Sequence, residues 1–389
     1  MIKNKILYIV RNQFYSIFGG DTIQVKKTKE YIENKYDIDI EIVLANKEQF
    51  KNICLDMYDI IHVWGISISP DILDIVKYCK SKNKKVVVST IYWNLLDTYF
   101  MQYFVFPILN CNLSPILEKI SFLFNLLLIL PVCKLLPSYR KKLCNYSLSK
   151  EFKNYKKGLI ELYDCVIPNS DEEGELLCKD IDLPYDKVKD KFISIPNAVD
   201  TSKLDYECNE KILSQLDNFV IQAAGIEPLK NQLSVVKALM QEKEIPIVFA
   251  GAIRNEKYYN VIKKLADKRG NVYFTGRIDE KQLFDLYKRA HVHVLASFRE
   301  SPGLVTIEAL MNDCQIVVSE EKYCPLKYYK FDEYGFVCNP YDIKSIKKAI
   351  LNSYKQPKKI NLSEKYYQFF SYNNVADMTF DVYKKVLEK

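Results

Sequence analysis

The chain has 389 residues, about two domains at roughly 100–200 residues each; 48% are hydrophobic and 27% charged, which fits a folded globular protein and excludes a disordered one. Its formal net charge of +7 favours anionic partners such as a phosphate-bearing substrate or an acidic membrane surface. That charge is too small to imply nucleic acid, and no Lys/Arg-rich block or RNA-binding signature adds to it.

In chain order, short β-rich runs alternate with amphipathic stretches. "MIKNKILYIV" is expected to be a first strand, with "ILYIV" (6–10) at its centre, and not a signal peptide, because its apolar run is short and no small-residue cleavage site follows. A helix over Thr22–Tyr36, strands at 40–44 and 60–64, a helix near Asp71–Ser81 and a strand "KVVVS" (85–89) follow. Later come "CVIPNS" (165–170), a helix near Asp171–Cys178, and "FISIPN" (192–197) as a further strand.

A second series begins near Asn218, with "FVIQAAG", "IPIVFAG", "NVYFTG", "AHVHVLAS" and "CQIVVS" as strands. Helices are expected at about Asn231–Gln241, Lys257–Lys268, Glu280–Arg289 and Pro302–Met311. Apolar runs of this length between helices predict parallel sheets covered on both faces. The fold class is therefore α/β, two doubly wound Rossmann-like units facing a cleft, with ligands at the carboxyl ends of the strands.

Residues 94–150 break the rhythm with "ISFLFNLLLILPVCKLLP", interrupted by Asn125 and Pro131 and followed by Arg140, Lys141 and Lys142. The apolar run falls short of the ~20 residues that span a bilayer. It either packs on the first domain or lies in a membrane interface near anionic headgroups, making peripheral membrane contact.

The 11 cysteines are odd in number and scattered, with no CxxC pair, which predicts reduced thiols and a cytoplasmic protein. The histidines are His62, His291 and His293; the last two alternate along an apparent strand, and a structural role is favoured over a metal pair. No metal site is expected.

The chemistry concentrates in "SFRESPGLVTIEAL" (297–310), where Glu300 and Glu308 flank seven residues. Ser301 suits an N-cap and Pro302 a first helical turn, while Gly303 lets a ligand approach the backbone. The amides and dipole of a helix start attract phosphate. Glu308 lies five residues beyond Gly303, about 7–8 Å along the axis. A diphosphate at the helix tip would then leave hydroxyls for both carboxylates, the layout of a nucleotide-sugar. Taken alone, two glutamates of this kind are equally an exposed loop residue and an ordinary helix-face residue. Two strand-end loops add weight: "AAGIEPLKNQ" (223–232), where Lys230 can neutralise phosphate, and "FTGRIDEKQL" (274–283), where Gly276 and Arg277 leave room for a base to stack.

These segments resemble the retaining GT-B glycosyltransferases of glycosyltransferase group one (family four). The resemblance is carried from about Phe219 to Pro340 by Glu300-x7-Glu308, "GLV", "IEPLKNQ", "TGRI" and "AHVHVLASFRESPG". It continues more loosely in "FGGDTIQVKKTKEYI" (18–32), "VIPNSDEEGELL" (166–177), "ISIPNAVD" (193–200) and the tail "FSYNNVADMTFDVYKKVL". It implies an acceptor-side domain over 1–205, with the insertion at about 94–150 and completed by a C-terminal helix (372–389), and a donor-binding domain over 206–371.

By that resemblance Glu308 holds the ribose hydroxyls and Glu300 contacts the donor sugar. The amides of Gly303, Leu304 and Val305 face the diphosphate and sugar, Lys230 balances the diphosphate and Arg277 lies against the base. Gly19 and Gly20 close over the diphosphate from the first domain. Two positions depart from the pattern: Gly225 stands where an arginine is usual five residues before the lysine, and "TIYWN" (90–94) stands where many members carry a histidine, leaving Tyr92 or Trp93 on the acceptor side.

The implied reaction is metal-independent, retaining transfer of a hexosyl unit from a nucleoside-diphosphate sugar, UDP-sugar first, to a saccharide acceptor, expected to be lipid-linked at the cytoplasmic face, in surface polysaccharide assembly. No separate cofactor is implied. The alternatives are a non-catalytic sugar-nucleotide-binding subunit and a nucleotide-sugar epimerase of the same shape. A dinucleotide-dependent oxidoreductase would need GxGxxG after an early strand, which "FGGDTI" does not supply.

Overall fold

A computed structural model describes residues 4–16, 19–66, 69–94, 150–200, 212–358, 360 and 362–388. The expected insertion at 94–150 and the expected domain boundary near 205 fall almost wholly outside these residues. The described chain divides into two compact units, one built from residues up to 94, 150–199 and 365–388, the other from residue 200 and 212–364.

The first unit carries strands β1 (Asn4–Val10), β2 (Ile38–Leu44), β3 (Ile60–Trp64), β4 (Lys85–Ser89) and β5 (Cys165–Ile167) in one sheet of order β2-β1-β3-β4-β5, all parallel. Alternation along β1 explains why the run reads as continuously apolar. Leu7 and Ile9 enter a core shared with the Ile72–Ser81, Lys150–Leu162 and Asp171–Asp180 helices, while Ile6, Tyr8 and Val10 face the Gly20–Lys35 helix.

The last helix, Tyr372–Leu387, completes that second face with Tyr372, Val375, Ala376, Val382, Tyr383 and Val386. Its polar atoms are tied in as well: the Tyr383 hydroxyl lies 3.0 Å from that of Tyr8 and 2.7 Å from His62 Nδ1, and Gln24 Nε2 donates to the Tyr372 hydroxyl at 2.7 Å. His62 Nε2 lies 2.9 Å from Ser89 Oγ, so this buried histidine is spent on structure.

The expected strand over 192–197 does not form. Ile193 N and Ile195 N donate to Val166 O and Pro168 O, but only a single bridge, Val166 to Phe192, results. Pro168 and Pro196 have no N–H to continue a ladder, so the segment stays extended without joining the sheet.

The second unit carries β6 (Val220–Ala223), β7 (Ile247–Ala250), β8 (Val272–Gly276), β9 (Val292–Leu295), β10 (Gln315–Ser319) and β11 (Gly335–Cys338) in a parallel sheet of order β11-β10-β9-β6-β7-β8. Val220, Ile247, Phe249, Val292, Val294 and Val317 form one face with the Gln232–Ala238, Glu256–Arg269 and Ile343–Tyr354 helices. Alternate residues, among them Ile221, Val248, His293, Leu295 and Ile316, are buried on the other face, where Tyr287 of the Glu280–Arg289 helix meets His293 edge-on. Strand β11 and the Ile343–Tyr354 helix are absent from the sequence expectation. β11 has only four residues and a half-exposed pattern, too little periodicity to read.

Candidate functional site

In each sheet the strand order reverses once, between β1 and β3 in the first and between β6 and β9 in the second. Loops leaving the carboxyl ends of two such strands run apart and leave a crevice, which is where open α/β sheets bind ligands. The β6 and β9 loops carry Lys230 and Glu300.

These two residues, 70 apart in sequence, meet: Lys230 Nζ donates to Glu300 Oε1 at 2.6 Å. Their side chains are 20% and 9% exposed, so the pair is largely removed from water. The backbone sets up the contact. Phe298 N donates to Leu229 O at 3.0 Å, stitching the loops together one residue before Lys230 and two before Glu300. Asn231, in a left-handed conformation, donates through Nδ2 to Ala296 O and Pro340 O, and Gln222 Nε2 donates to Lys230 O. Glu300 N donates to Tyr323 O at 2.7 Å. A buried ion pair held from so many sides is costly to break on either partner.

The helix after Glu300 runs Leu304–Met311, two residues shorter at its start than expected. Ser301 is not its cap. Gly303 takes that position at φ 89°, a left-handed conformation, with no side-chain cap bond. A Cβ there would fall 2.9 Å from Leu295 Cδ2 and 3.3 Å from Glu300 Oε2, so the bare Cα also makes room for the Glu300 carboxylate.

Thr306 N donates back to Gly303 O, while no described backbone carbonyl accepts from the amides of Gly303, Leu304 or Val305. Those amides and the helix dipole give the tip a positive end. Glu308 lies on the same helix, half-buried, with its carbonyl accepting from Asn312. Gly276 ends β8 at φ 69°, and its carbonyl accepts from Gly251 N; Arg277 follows, exposed.

In the first unit Gly19 precedes the Gly20–Lys35 helix at the end of β1. Arg11, which sequence inspection passes over, is the first residue after β1 and grips Asp21 in that helix's first turn, Nε to Oδ2 at 2.5 Å, and reaches Thr22 Oγ1 as well. A cation directly after a first strand is the signal that marks it. Tyr92 and Trp93 are both buried. The Tyr92 hydroxyl donates to Asp180 at 2.7 Å, and its amide donates to Glu173, which also accepts from Thr90. Lys156 lies over the Tyr92 ring, and burial pulls its pKa down to about 7. The hydroxyl of Tyr92 is therefore committed within this unit.

Residues 209–369 match the family model described as glycosyl transferases group 1. The serotype-specific mannosyltransferase WbdA of Escherichia coli is 25% identical over 263 residues, a match that takes in 61% of this chain and 31% of that protein. Among solved structures, sucrose-phosphate synthase from Thermosynechococcus elongatus superposes with a TM-score of 0.70 at 16% identity, covering 99% of both chains. A glycosyltransferase from Rickettsia africae gives 0.63 at 16% identity, covering 100% of this chain and 99% of its own. The catalytic domain of starch synthase IV from Arabidopsis thaliana, bound to ADP and acarbose, gives 0.61 at 13%, covering 99% of both chains. Residues 209–369 thus resemble the group 1 glycosyl transferases, within a chain that has the two-sheet fold of the GT-B glycosyltransferases.

Proposed function

We propose that the protein is a retaining hexosyltransferase that takes its sugar from a nucleoside-diphosphate donor. The observation that carries this reading is the Lys230–Glu300 pair at the β6/β9 reversal, beside the uncapped amides of Leu304 and Val305. In this reading the diphosphate rests on those amides, Glu308 accepts hydrogen bonds from the ribose, and Arg277 lies against the base. Gly303 and Gly276 keep the backbone bare where the donor passes.

Negative charge grows on the diphosphate as the bond to the sugar breaks and the sugar becomes cation-like. Lys230 and the helix tip stabilise that charge, the role a metal ion takes in other transferases, so the reaction is metal-independent in this account. Glu300, released from Lys230 as the phosphates arrive, holds the sugar hydroxyls. The leaving phosphate takes the acceptor's proton on the same face, which retains the anomeric configuration without a histidine at the "TIYWN" segment.

The transferred sugar is a hexose, and mannose is the first to test because a relative bears the name of a mannosyltransferase. The acceptor in this reading is a lipid-linked saccharide at the cytoplasmic face of a membrane, in surface polysaccharide assembly, with residues 94–150 as the peripheral membrane contact; Tyr92 and Trp93, both buried, do not line the acceptor side as the resemblance implied. Among the described residues no helix is long and apolar enough to cross a membrane.

The test is mass analysis of products from UDP-, GDP- and ADP-hexoses incubated with a lipid-linked saccharide extract, with and without a chelator. Chelator-insensitive extension of the acceptor by one hexose supports the reading. Conversion of the donor to a free epimer, or binding without turnover, contradicts it.

A further inference from the structure

We propose that Arg254, in the loop after β7, provides a second cation for the donor's diphosphate, with its stem seated in the side-chain space that Gly225 leaves empty. The proposal rests on the donor reading above. Gly225 follows β6 in the loop that carries Lys230 five residues later. A Cβ on Gly225 would fall 2.5 Å from Arg254 Nε, 2.7 Å from Cδ and 3.2 Å from Cγ. The arginine side chain thus lies directly over the Gly225 Cα, and any residue but glycine there would displace it.

The placement is built into the backbone. Beyond the last ladder residues the β6 and β7 loops stay zipped: Ala224 N donates to Ala250 O, Ile226 N to Ala252 O, and both Arg254 N and Asn255 N to Ile226 O. Ile226 and Ile253 form a parallel bridge. Gly251 permits this approach, since a Cβ there would fall 2.0 Å from Ala224 O. Gln232 Nε2 holds the Gly225 carbonyl at 2.9 Å, and Asn255 caps the Glu256–Arg269 helix through Tyr258 N. Both ends of the arginine's position are therefore anchored.

Among the described residues no carboxylate pairs with Arg254, which is exposed, whereas Lys230 is paired with Glu300, Arg289 with Asp285, and Arg269 is consumed by backbone carbonyls. An exposed arginine is ordinarily just solvated. This one has its stem packed at the carboxyl end of β6, the strand that borders the reversal, which lowers the entropy lost on gripping a ligand. A guanidinium fork matches two phosphate oxygens at once.

The experiment is calorimetric titration of the full chain with UDP, GDP and ADP and, separately, with inorganic pyrophosphate, which carries the phosphates without base or ribose. Arg254→Gly should weaken both the best nucleoside diphosphate and pyrophosphate about tenfold or more, with an unchanged thermal unfolding midpoint. Adding Gly225→Arg to Arg254→Gly, which returns the guanidinium from the β6 side, should recover most of that loss. Unchanged affinity, a loss confined to the nucleotide, or a double variant no better than the single one overturns the role of Arg254 while leaving the donor site intact. Failure of the wild-type protein to bind any of the three nucleotides at millimolar concentration instead removes the donor reading itself.

Discussion

Replacing Gly303 with alanine strains the backbone and crowds the Glu300 carboxylate in a single step. At φ 89° an L-residue pays about 1–2 kcal/mol for the left-handed conformation. The new methyl also meets Leu295 Cδ2 at 2.9 Å and Glu300 Oε2 at 3.3 Å, and relieving that overlap costs about 1 kcal/mol or more. The sum is a loss of about 2–3 kcal/mol in urea unfolding.

Gly270→Ala is the matched control. It also sits at positive φ, 76°, but nothing lies within 4 Å of its Cβ position, so it carries only backbone strain. The two variants separate in activity. Gly303→Ala moves Glu300 by a few tenths of an ångström and should lower kcat/KM for sugar transfer at least about tenfold, since misplacement of about 1 Å costs about a hundredfold. Gly270→Ala should transfer at the wild-type rate. If Gly303→Ala transfers as fast as Gly270→Ala, the bare Cα does not serve the Glu300 carboxylate and the site as built here is wrong.

Lys230→Ala leaves the buried Glu300 carboxylate without its partner and should destabilise the second unit by about 1–3 kcal/mol, more than Glu300→Gln, as read by urea unfolding. Arg269→Ala should cost about 3–5 kcal/mol, because this side chain donates to the carbonyls of Leu239, Glu242, Ile245, Gly270 and Asn271 and its loss strands them. Acid should destabilise the fold through His62 and His293, whose burial holds both near a pKa of about 3 against 6.5 in the unfolded chain. Below pH 6.5 the unfolded chain takes up protons that the folded one refuses. Stability present above that value therefore falls as pH drops toward 3, by about 1.4 kcal/mol per pH unit for each histidine. His293→Leu should roughly halve that slope in urea midpoints measured between pH 7 and 5.

Much of the architecture can be read directly from apolar runs bounded by turn residues. "IIHVW" and "KVVVS" become β3 and β4 at their expected ends because a parallel strand buried on both faces reads as a short, nearly continuous apolar run. The "FISIPN" segment reads the same way, yet its neighbour Pro168 lies on another stretch of chain, and the missing donor shows only once the two are side by side. Ser301 has the right chemistry for a cap, but local preference yields to the seating of Glu300 against Gly303. The residue types at 230, 300 and 308 are legible from their loops. The Lys230–Glu300 contact is not, since it spans 70 residues and exists only through the order of β6 and β9. Gly225 shows as a gap in a motif, and only the zipped loops reveal that Arg254 occupies it.

A crystal structure of the full chain soaked with a nucleoside-diphosphate hexose tests the central claim most directly. The account predicts phosphate oxygens against the amides of Leu304 and Val305 with Lys230 in contact, the ribose on Glu308 and the hexose on Glu300. Density for the nucleotide elsewhere, or a bound donor that leaves the Lys230–Glu300 pair closed and Glu308 untouched, would contradict it.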